Sequence, residues 1–339
     1  MSGSGQADPG SRSRDSGLDF LKGFLVLVMV VHHSLEYFLG PRYPVIKYFD
    51  FVTGAFVFVA GFIVSSISGT RPGLTAGRNY WRLVQRGWKV VLLFLIVNLA
   101  INLVVKVNYN GRHFGVAQFI RESYSVFWLG NKAVASFEIL LPIAYTLLAS
   151  ALLLTLFRSR LMRTLPVMAL FAYCSLLEDP SFNLYYLCLG LCGFAAGVFA
   201  DRGRIQVMVE KGCRAFFILF AGVYFALISW LPNDNLPLYL FGILAVVGLV
   251  YLYAVDFNYG WPVNHAVVLL GKYSLLGYLA HILFLQLLYR LVHLPILSEG
   301  CAIIPFVLAS AFLFGLCYAT EALRRWHANA DYVYRLIFA

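Results

Sequence analysis

Four side chains that can carry charge or move a proton lie within one apolar stretch near the start of the chain. They are Asp19, Lys22, His32 and His33, and the residues between them are almost all aliphatic or aromatic. Lys22 and His33 are eleven positions apart. An α-helix would return them to within about 20° of one face and separate them by roughly 16 Å along its axis. Asp19 shares that side, whereas His32 points about 80° away from Lys22.

A histidine on such a face could act as a base or as a nucleophile. Imidazole has an ordinary pKa of about 6.5, so it can accept a proton from a hydroxyl group near neutral pH. We predict His33 as a catalytic residue, with Asp19 and Lys22 on its face, and His32 as a packing or supporting residue. Three alternatives stay open. His33 could be a structural histidine bonded to a neighbouring helix, and Lys22 could only extend towards lipid head groups. Asp19 could be a helix-start residue that pairs with Lys22 and is no acid of its own.

The composition of the whole chain is that of a membrane protein. Of its 339 residues 61% are hydrophobic and 12% are charged, and the mean hydropathy is +0.77, which excludes an ordinary soluble domain. Continuous apolar runs long enough to cross a bilayer core of about 30 Å recur along the sequence, and they lack the alternation of β-barrel strands. We predict an all-α bundle of about ten transmembrane helices, at residues 18–39, 47–69, 88–106, 133–156, 164–177, 183–200, 214–231, 236–255, 266–289 and 301–320.

The distribution of positive charge predicts the topology of this bundle. With the N-terminus inside, 19 of the 26 lysines and arginines fall in cytoplasmic segments and the other 7 on the opposite side, as the positive-inside rule requires. Both termini are then cytoplasmic. Residues 1–17 form a polar, disordered tail, residues 18–320 the membrane domain and residues 321–339 a C-terminal tail. The net charge of +10 thus reflects a bilayer partner and not nucleic acid.

Three motifs follow one another along the chain: Leu18-Asp19-x-x-Lys22-Gly23 followed by His33, Phe56-Val-Phe-Val-Ala60-Gly61-Phe62, and Leu270-Gly271-Lys272-Tyr273-Ser274 continuing to Gly277-Tyr278-Leu279-Ala280-His281. These motifs resemble those of the acyltransferase-3 superfamily of membrane-embedded acyltransferases. In the first motif the family usually has Arg where this chain has Lys22. In the second motif Ala60 replaces the Ser that is commoner in the family. Glu138, which precedes Leu141-Pro142, is similar to a mid-chain Glu of the family.

The resemblance implies transfer of an acyl group, in the first place acetyl, from cytoplasmic acyl-CoA to a hydroxyl of a carbohydrate. The acceptor would be presented from the other side of a bacterial inner membrane. The resemblance also makes His281, Ser274 and Glu138 candidates for contact with the substrate or for support of the site, beside the supporting residue His32. His281, on which the third motif ends, could orient the substrate or only bond to a neighbouring helix. Acyl transfer from a thioester needs no metal, and none is expected.

A second set of cations could hold the acyl donor. Arg78, Arg82, Arg86 and Lys89 follow one another at i, i+4, i+8 and i+11, which places all four on one helix face within about 80°. This basic face could bind the phosphates of coenzyme A at a cytoplasmic opening. The ordinary alternative is a positive flank that only sets the topology.

Two other functions remain open on the sequence. Buried histidines and carboxylates also serve transporters and flippases of polar or lipid-linked solutes, although no internal repeat typical of many carriers is found. An N-acetyltransferase acting on an amino sugar would use the same chemistry with an amine as acceptor.

Overall fold

The computed structural model describes residues 15–68, 76–104, 116–131, 135–200, 212–231, 235–256, 261–292 and 302–338. The described part of the chain forms helices and contains no strand. The α-helices are α1 (Ser16–Leu39), α2 (Phe51–Ser68), α3 (Ala76–Val104), α4 (Val116–Arg121), α5 (Leu140–Leu156), α6 (Arg160–Leu176), α7 (Phe182–Phe199), α8 (Arg214–Trp230), α9 (Leu236–Asp256), α10 (Pro262–Lys272), α11 (Ser274–Val292), α12 (Ile303–Trp326) and α13 (Ala328–Phe338).

The predicted all-α transmembrane bundle is confirmed. Six of the described helical stretches are long and apolar enough to cross a membrane. A seventh crossing is possible if α10 and α11, which meet at an angle of 90°, count as one broken span. Helices α5 and α8 are apolar but shorter, with 17 residues each. Each of the ten predicted spans overlaps a helix, and the ninth corresponds to the broken pair; the number of crossings stays a prediction.

Helix α1 lies at the centre of the bundle. It packs against α10, α11 and α12 on one side and against α9 and α2 on the other. Its side chains Leu21, Leu25, Val26 and Val30 are almost completely buried. A second group of helices is built on α2, which packs against α7 and α5, while α3 packs mainly against α5. The polar side chains of α1 are therefore enclosed by several helices.

Glycines allow the closest helix pairs to touch through their backbones. A Cβ atom at Gly23 would overlap the carbonyl oxygen of Val267, and one at Gly271 would overlap that of Asp19. In the same way, a Cβ at Gly61 would overlap the carbonyl oxygen of Gly190 on α7. Small residues are the usual means of close helix approach in membranes. The glycines of the three sequence motifs therefore have a structural reason.

The C-terminal helix α13 is attached to the bundle by a charged cluster. Arg324, near the end of α12, donates hydrogen bonds to Asp331 at 2.8 and 2.5 Å and to the Tyr273 hydroxyl at 3.0 Å. Its guanidinium also lies over the ring of Tyr334, 4.2 Å from the centroid. The hydrogen bonds from Arg324 lower the pKa of the Asp331 carboxyl below its usual range. Asp331 is therefore charged at neutral pH and pairs with arginine.

Candidate active site

His33 and Glu36 form a histidine–carboxylate pair near the end of α1. His33 Nδ1 lies 3.1 Å from Glu36 Oε2, because residues three apart are neighbours on a helix surface. An ionised carboxylate only accepts hydrogen bonds, so His33 Nδ1 carries the proton and donates it. Nε2 is then the nitrogen that can take a proton from a substrate. This is the division of roles that a general base oriented by a carboxylate requires.

A second histidine faces this pair from α11. His281 is fully buried, and its ring centroid lies 5.4 Å from that of His33. His281 Nδ1 is 2.9 Å from the Gly277 carbonyl oxygen, which can only accept a hydrogen bond. In the neutral ring Nε2 is then unprotonated, and this buried atom has no hydrogen-bond partner among the described residues. A buried polar atom left without a partner is costly, which favours a site that a ligand completes.

His32 belongs to a different hydrogen-bonded group. His32 Nε2 lies 3.1 Å from Asp50 Oδ1. The Tyr239 hydroxyl donates to the Asp50 carbonyl oxygen at 2.5 Å and accepts from the Gly54 N–H at 3.3 Å. These contacts hold Asp50 at the start of α2. His32 thus connects α1 to α2 and α9, in agreement with a supporting role.

Glu138 reaches the same end of the bundle through an irregular turn. Phe137 adopts a left-handed conformation with φ of 59°. Ser136 donates its N–H to Asn98 Oδ1 at 2.7 Å and accepts from Asn98 Nδ2 at 2.9 Å. The Glu138 carboxylate interacts electrostatically with Tyr278, whose ring centroid lies 5.8 Å from that of His281. Glu138 therefore lies at the border of the histidine cluster.

Three of these side chains are also close enough to share a metal ion. Ligand atoms of His32, His33 and Glu36 all lie within 4.8 Å of one another. Imidazole nitrogens together with a carboxylate oxygen form a donor set that suits zinc. His33 and His32 also have carboxylate partners, Glu36 and Asp50, so the cluster has a use without a metal.

The family of the chain follows from a comparison with protein-family models. The model described as "Acyltransferase domain", of the acyltransferase-3 family, matches residues 15–321. The chain belongs to the acyltransferase-3 family. The resemblance seen in the sequence motifs is therefore confirmed, and the protein is a multi-pass membrane acyltransferase. The comparison with curated proteins finds no match.

In the structure of the acyltransferase, the predicted catalytic residues lie in two separate places. His33, His32, His281 and Glu138 gather at one end of α1, called here the His33 end. Asp19 and Lys22 form an ion pair of 2.6 Å at the other end, the Lys22 end, about 16 Å away along the helix. Asp19 and Lys22 are thus partners of each other and not of His33.

Ser274 is also separated from the histidines of the acyltransferase. It is the first residue of α11, next to the break at Tyr273. Ser274 and His281 are seven positions apart, which corresponds to roughly 10 Å along the helix. Ser274 therefore belongs to the Lys22 end, and the structure does not bring it to the His33 cluster.

The predicted basic face lies on α3. Arg82 and Arg86 are exposed and Lys89 is half-buried, while the side chain of Arg78 lies outside the described residues. Helix α3 packs mainly against α5. The role of these cations in donor binding stays a prediction.

Three site residues of the acyltransferase were not predicted from the sequence. Glu36 has a visible signal, because it follows His33 by three positions on the same helix face. Asp50 and Tyr239 have none, since they reach the cluster from α2 and α9 through packing alone. The sequence motifs contain His281 but do not indicate that its ring faces His33.

Proposed function

We propose that this acyltransferase moves an acyl group, in the first place acetyl, from acyl-CoA to a carbohydrate hydroxyl. The observation that carries the proposal is the His33–Glu36 pair, in which Nδ1 faces the carboxylate, together with the His281 ring that lies beside it. The donor and the carbohydrate acceptor come from the family resemblance. The charge bias supports cytoplasmic termini, and the bacterial inner membrane and the cytoplasmic donor come from the family resemblance.

The reaction uses His33 as a proton carrier. His33 Nε2 takes the proton of the acceptor hydroxyl while the oxygen of that hydroxyl attacks the thioester carbonyl carbon. The C–S bond then breaks, the coenzyme A sulfur leaves, and the imidazolium returns the proton to that sulfur. Glu36 stabilises the transient imidazolium through the hydrogen bond to Nδ1. The products are the O-acyl carbohydrate and free coenzyme A.

His281 acts on the acceptor in this proposal. Its unprotonated Nε2 can accept a hydrogen bond from a second hydroxyl of the sugar, since Nδ1 is occupied by the Gly277 carbonyl oxygen. Such a bond satisfies the buried nitrogen and orients the acceptor against His33. A route through an acyl-imidazole on His33 uses the same atoms in two steps.

The test is the release of coenzyme A by the purified full chain. Detergent-solubilised protein is mixed with acetyl-CoA and an oligosaccharide acceptor, the free thiol is measured, and the acceptor is analysed by mass spectrometry for an added acetyl group. We expect thiol release that depends on the acceptor and is lost in His33→Ala. A transporter or flippase would release no thiol. Acetylation of an amine and not of a hydroxyl would show an N-acetyltransferase.

A further inference from the structure

The last helix of the chain has an exposed apolar face. Helix α13 begins two positions after α12 ends, and four of its large apolar side chains are between 42% and 68% exposed. At about 100° per residue, these side chains fall within an arc of about 140° on one side of the helix. A contiguous apolar surface of this kind marks a contact with a partner or with a membrane. The four residues, called here the outer face of α13, are Tyr332, Val333, Leu336 and Ile337.

The opposite side of α13 is attached to the bundle. The Tyr334 ring lies 5.1 Å from the ring of Tyr273 and 5.1 Å from that of Phe338. Tyr334 and Phe338 pack against the two largest groups of buried apolar side chains, and Arg324 of α12 donates to Asp331 at 2.8 Å. Helix α13 therefore lies along the bundle and does not extend away from it, and its outer face points away from the protein.

A narrow polar edge separates these two sides. Asp331 and Arg335 lie one turn apart on it and form an ion pair of 2.7 Å, and the Arg335 side chain is 68% exposed. Asn329, in the first turn, shares the sector of the outer face, and its amide suits contact with head groups. A helix with one apolar and one charged side is typical of the membrane surface, where the apolar side enters the boundary between head groups and acyl chains.

Helix α12 fixes the depth at which α13 lies. It is one of the helices long and apolar enough to cross the membrane, and Ile304, Val307 and Leu308 on its surface are 43–54% exposed. This apolar surface continues to the end of α12, where Leu323 is 52% and Trp326 is 80% exposed. Tryptophan is enriched at the boundary between membrane and water. Because α13 begins two positions after Trp326, it starts at this boundary.

We propose that α13 lies in the plane of the membrane and inserts its outer face into the lipid leaflet at the Lys22 end. The occupant of this face is lipid and not a second copy of the chain, because the face continues the lipid-exposed surface of α12 past Trp326. The C-terminal segment then anchors the bundle in the leaflet. Through Arg324 and Tyr334 this anchor is joined to Tyr273, at the break between α10 and α11.

The experiment measures the depth of the outer face in vesicles. Leu336→Cys and Val333→Cys are labelled separately with a polarity-sensitive fluorophore, in the full chain without its six native cysteines. The protein is reconstituted in phosphatidylcholine vesicles that carry a nitroxide quencher either just below the head group or deep in the acyl chain. We expect the shallow nitroxide to quench both labels at least about twofold more than the deep one.

Two control positions calibrate the depth. Ala328→Cys lies on the same helix within about 20° of Arg335 and is exposed, so both nitroxides should quench its label only weakly. Gly315→Cys lies in the middle of α12, where a Cβ meets nothing within 4 Å. The deep nitroxide should quench the Gly315→Cys label more than the shallow one.

The quenching pattern decides the proposal. If neither nitroxide quenches the labels at Leu336 and Val333 while Gly315→Cys behaves as expected, the outer face is not in lipid and the proposal is wrong. Stronger quenching of these labels by the deep nitroxide would place α13 inside the bilayer core and contradict a position in the membrane plane.

A second measurement serves if the chain without native cysteines fails to fold. Leu336 is replaced by the photo-crosslinking residue benzoylphenylalanine in the otherwise native chain, which is illuminated in phosphatidylcholine vesicles and analysed by mass spectrometry. We expect adducts with phosphatidylcholine. Cross-links to a second copy of the chain in place of lipid would assign the outer face to an oligomer contact and overturn the proposal.

Discussion

The rings of His33 and His281 lie 5.4 Å apart, although they come from opposite ends of the chain. In both rings Nδ1 is engaged by an acceptor, the Glu36 carboxylate in one and the Gly277 carbonyl oxygen in the other. The nitrogen that each ring can offer to a substrate is therefore Nε2. His33 is 21% exposed at its side chain, whereas His281 is fully buried. The pair thus combines an accessible base with an enclosed acceptor of hydrogen bonds.

His33→Ala should reduce the rate of acyl transfer by about 10²- to 10⁴-fold, which is the usual loss when a general base is removed. The measurement is thiol release from acetyl-CoA with an oligosaccharide acceptor. His32→Ala is the control, because His32 pairs with Asp50 and not with Glu36, and it should keep most of the activity. An inactive His32→Ala variant together with an active His33→Ala variant would contradict this assignment and move the catalytic role to His32.

Glu36→Gln should lower kcat by about 10²-fold or more while leaving the KM for acetyl-CoA unchanged, because Glu36 orients the base and does not touch the donor. Glu36→Asp keeps the charge and should restore part of the rate. Asp50→Asn removes the carboxylate from His32 and should have a smaller effect on kcat. An equal fall of kcat in Glu36→Gln and Asp50→Asn would contradict the prediction that Glu36 in particular orients the catalytic base.

Treatment with a metal chelator should not change the rate of acyl transfer, because the proposed reaction uses His33 with Glu36 and no metal. The enzyme is incubated with excess chelator, desalted and assayed with acetyl-CoA. Loss of activity that added Zn²⁺ restores would instead assign His32, His33 and Glu36 to a metal site.

Gly271→Ala should destabilise the protein by about 1–3 kcal/mol, because a Cβ there collides with the Asp19 carbonyl oxygen and forces α1 and α10 apart. Thermal unfolding in detergent measures the effect. Gly315→Ala is the matched control, since Gly315 lies on α12 and a Cβ there meets nothing within 4 Å. The control should be neutral or more stable by about 0.5–1 kcal/mol. Equal melting temperatures of the two variants would refute the backbone contact.

The two ends of the bundle should face opposite compartments, as the charge bias predicts. Single cysteines are introduced as Asp179→Cys and Asn329→Cys in a background without the six native cysteines. Both positions are exposed. In intact cells a membrane-impermeant thiol reagent should label Asp179→Cys directly, and Asn329→Cys only after permeabilisation. The reverse pattern would invert the topology and place the His33 end in the cytoplasm.

The sequence alone determined the helical membrane bundle, the family and the histidine at the centre of the proposed site. Hydrophobic runs and helix periodicity are local properties of the sequence, so the predicted spans overlap the observed helices. For the same reason His33 could be chosen over His32, because helix periodicity places His33 on the same face of α1 as Lys22. The family motifs also depend on residues close together in the chain, such as Lys22-Gly23 and Leu270-Gly271.

The tertiary structure decided which of these residues act together. Helix phase places Asp19, Lys22 and His33 on one side but does not remove the distance of about 16 Å between Lys22 and His33, so the predicted group separates into two ends. His281 and Asp50 reach His33 and His32 only because α11 and α2 pack around α1. The break at Tyr273 and the glycine contact between α1 and α10 set that packing. These contacts join parts of the chain that are far apart in sequence. They depend on how side chains of different helices fit together, and a local sequence pattern does not contain that information.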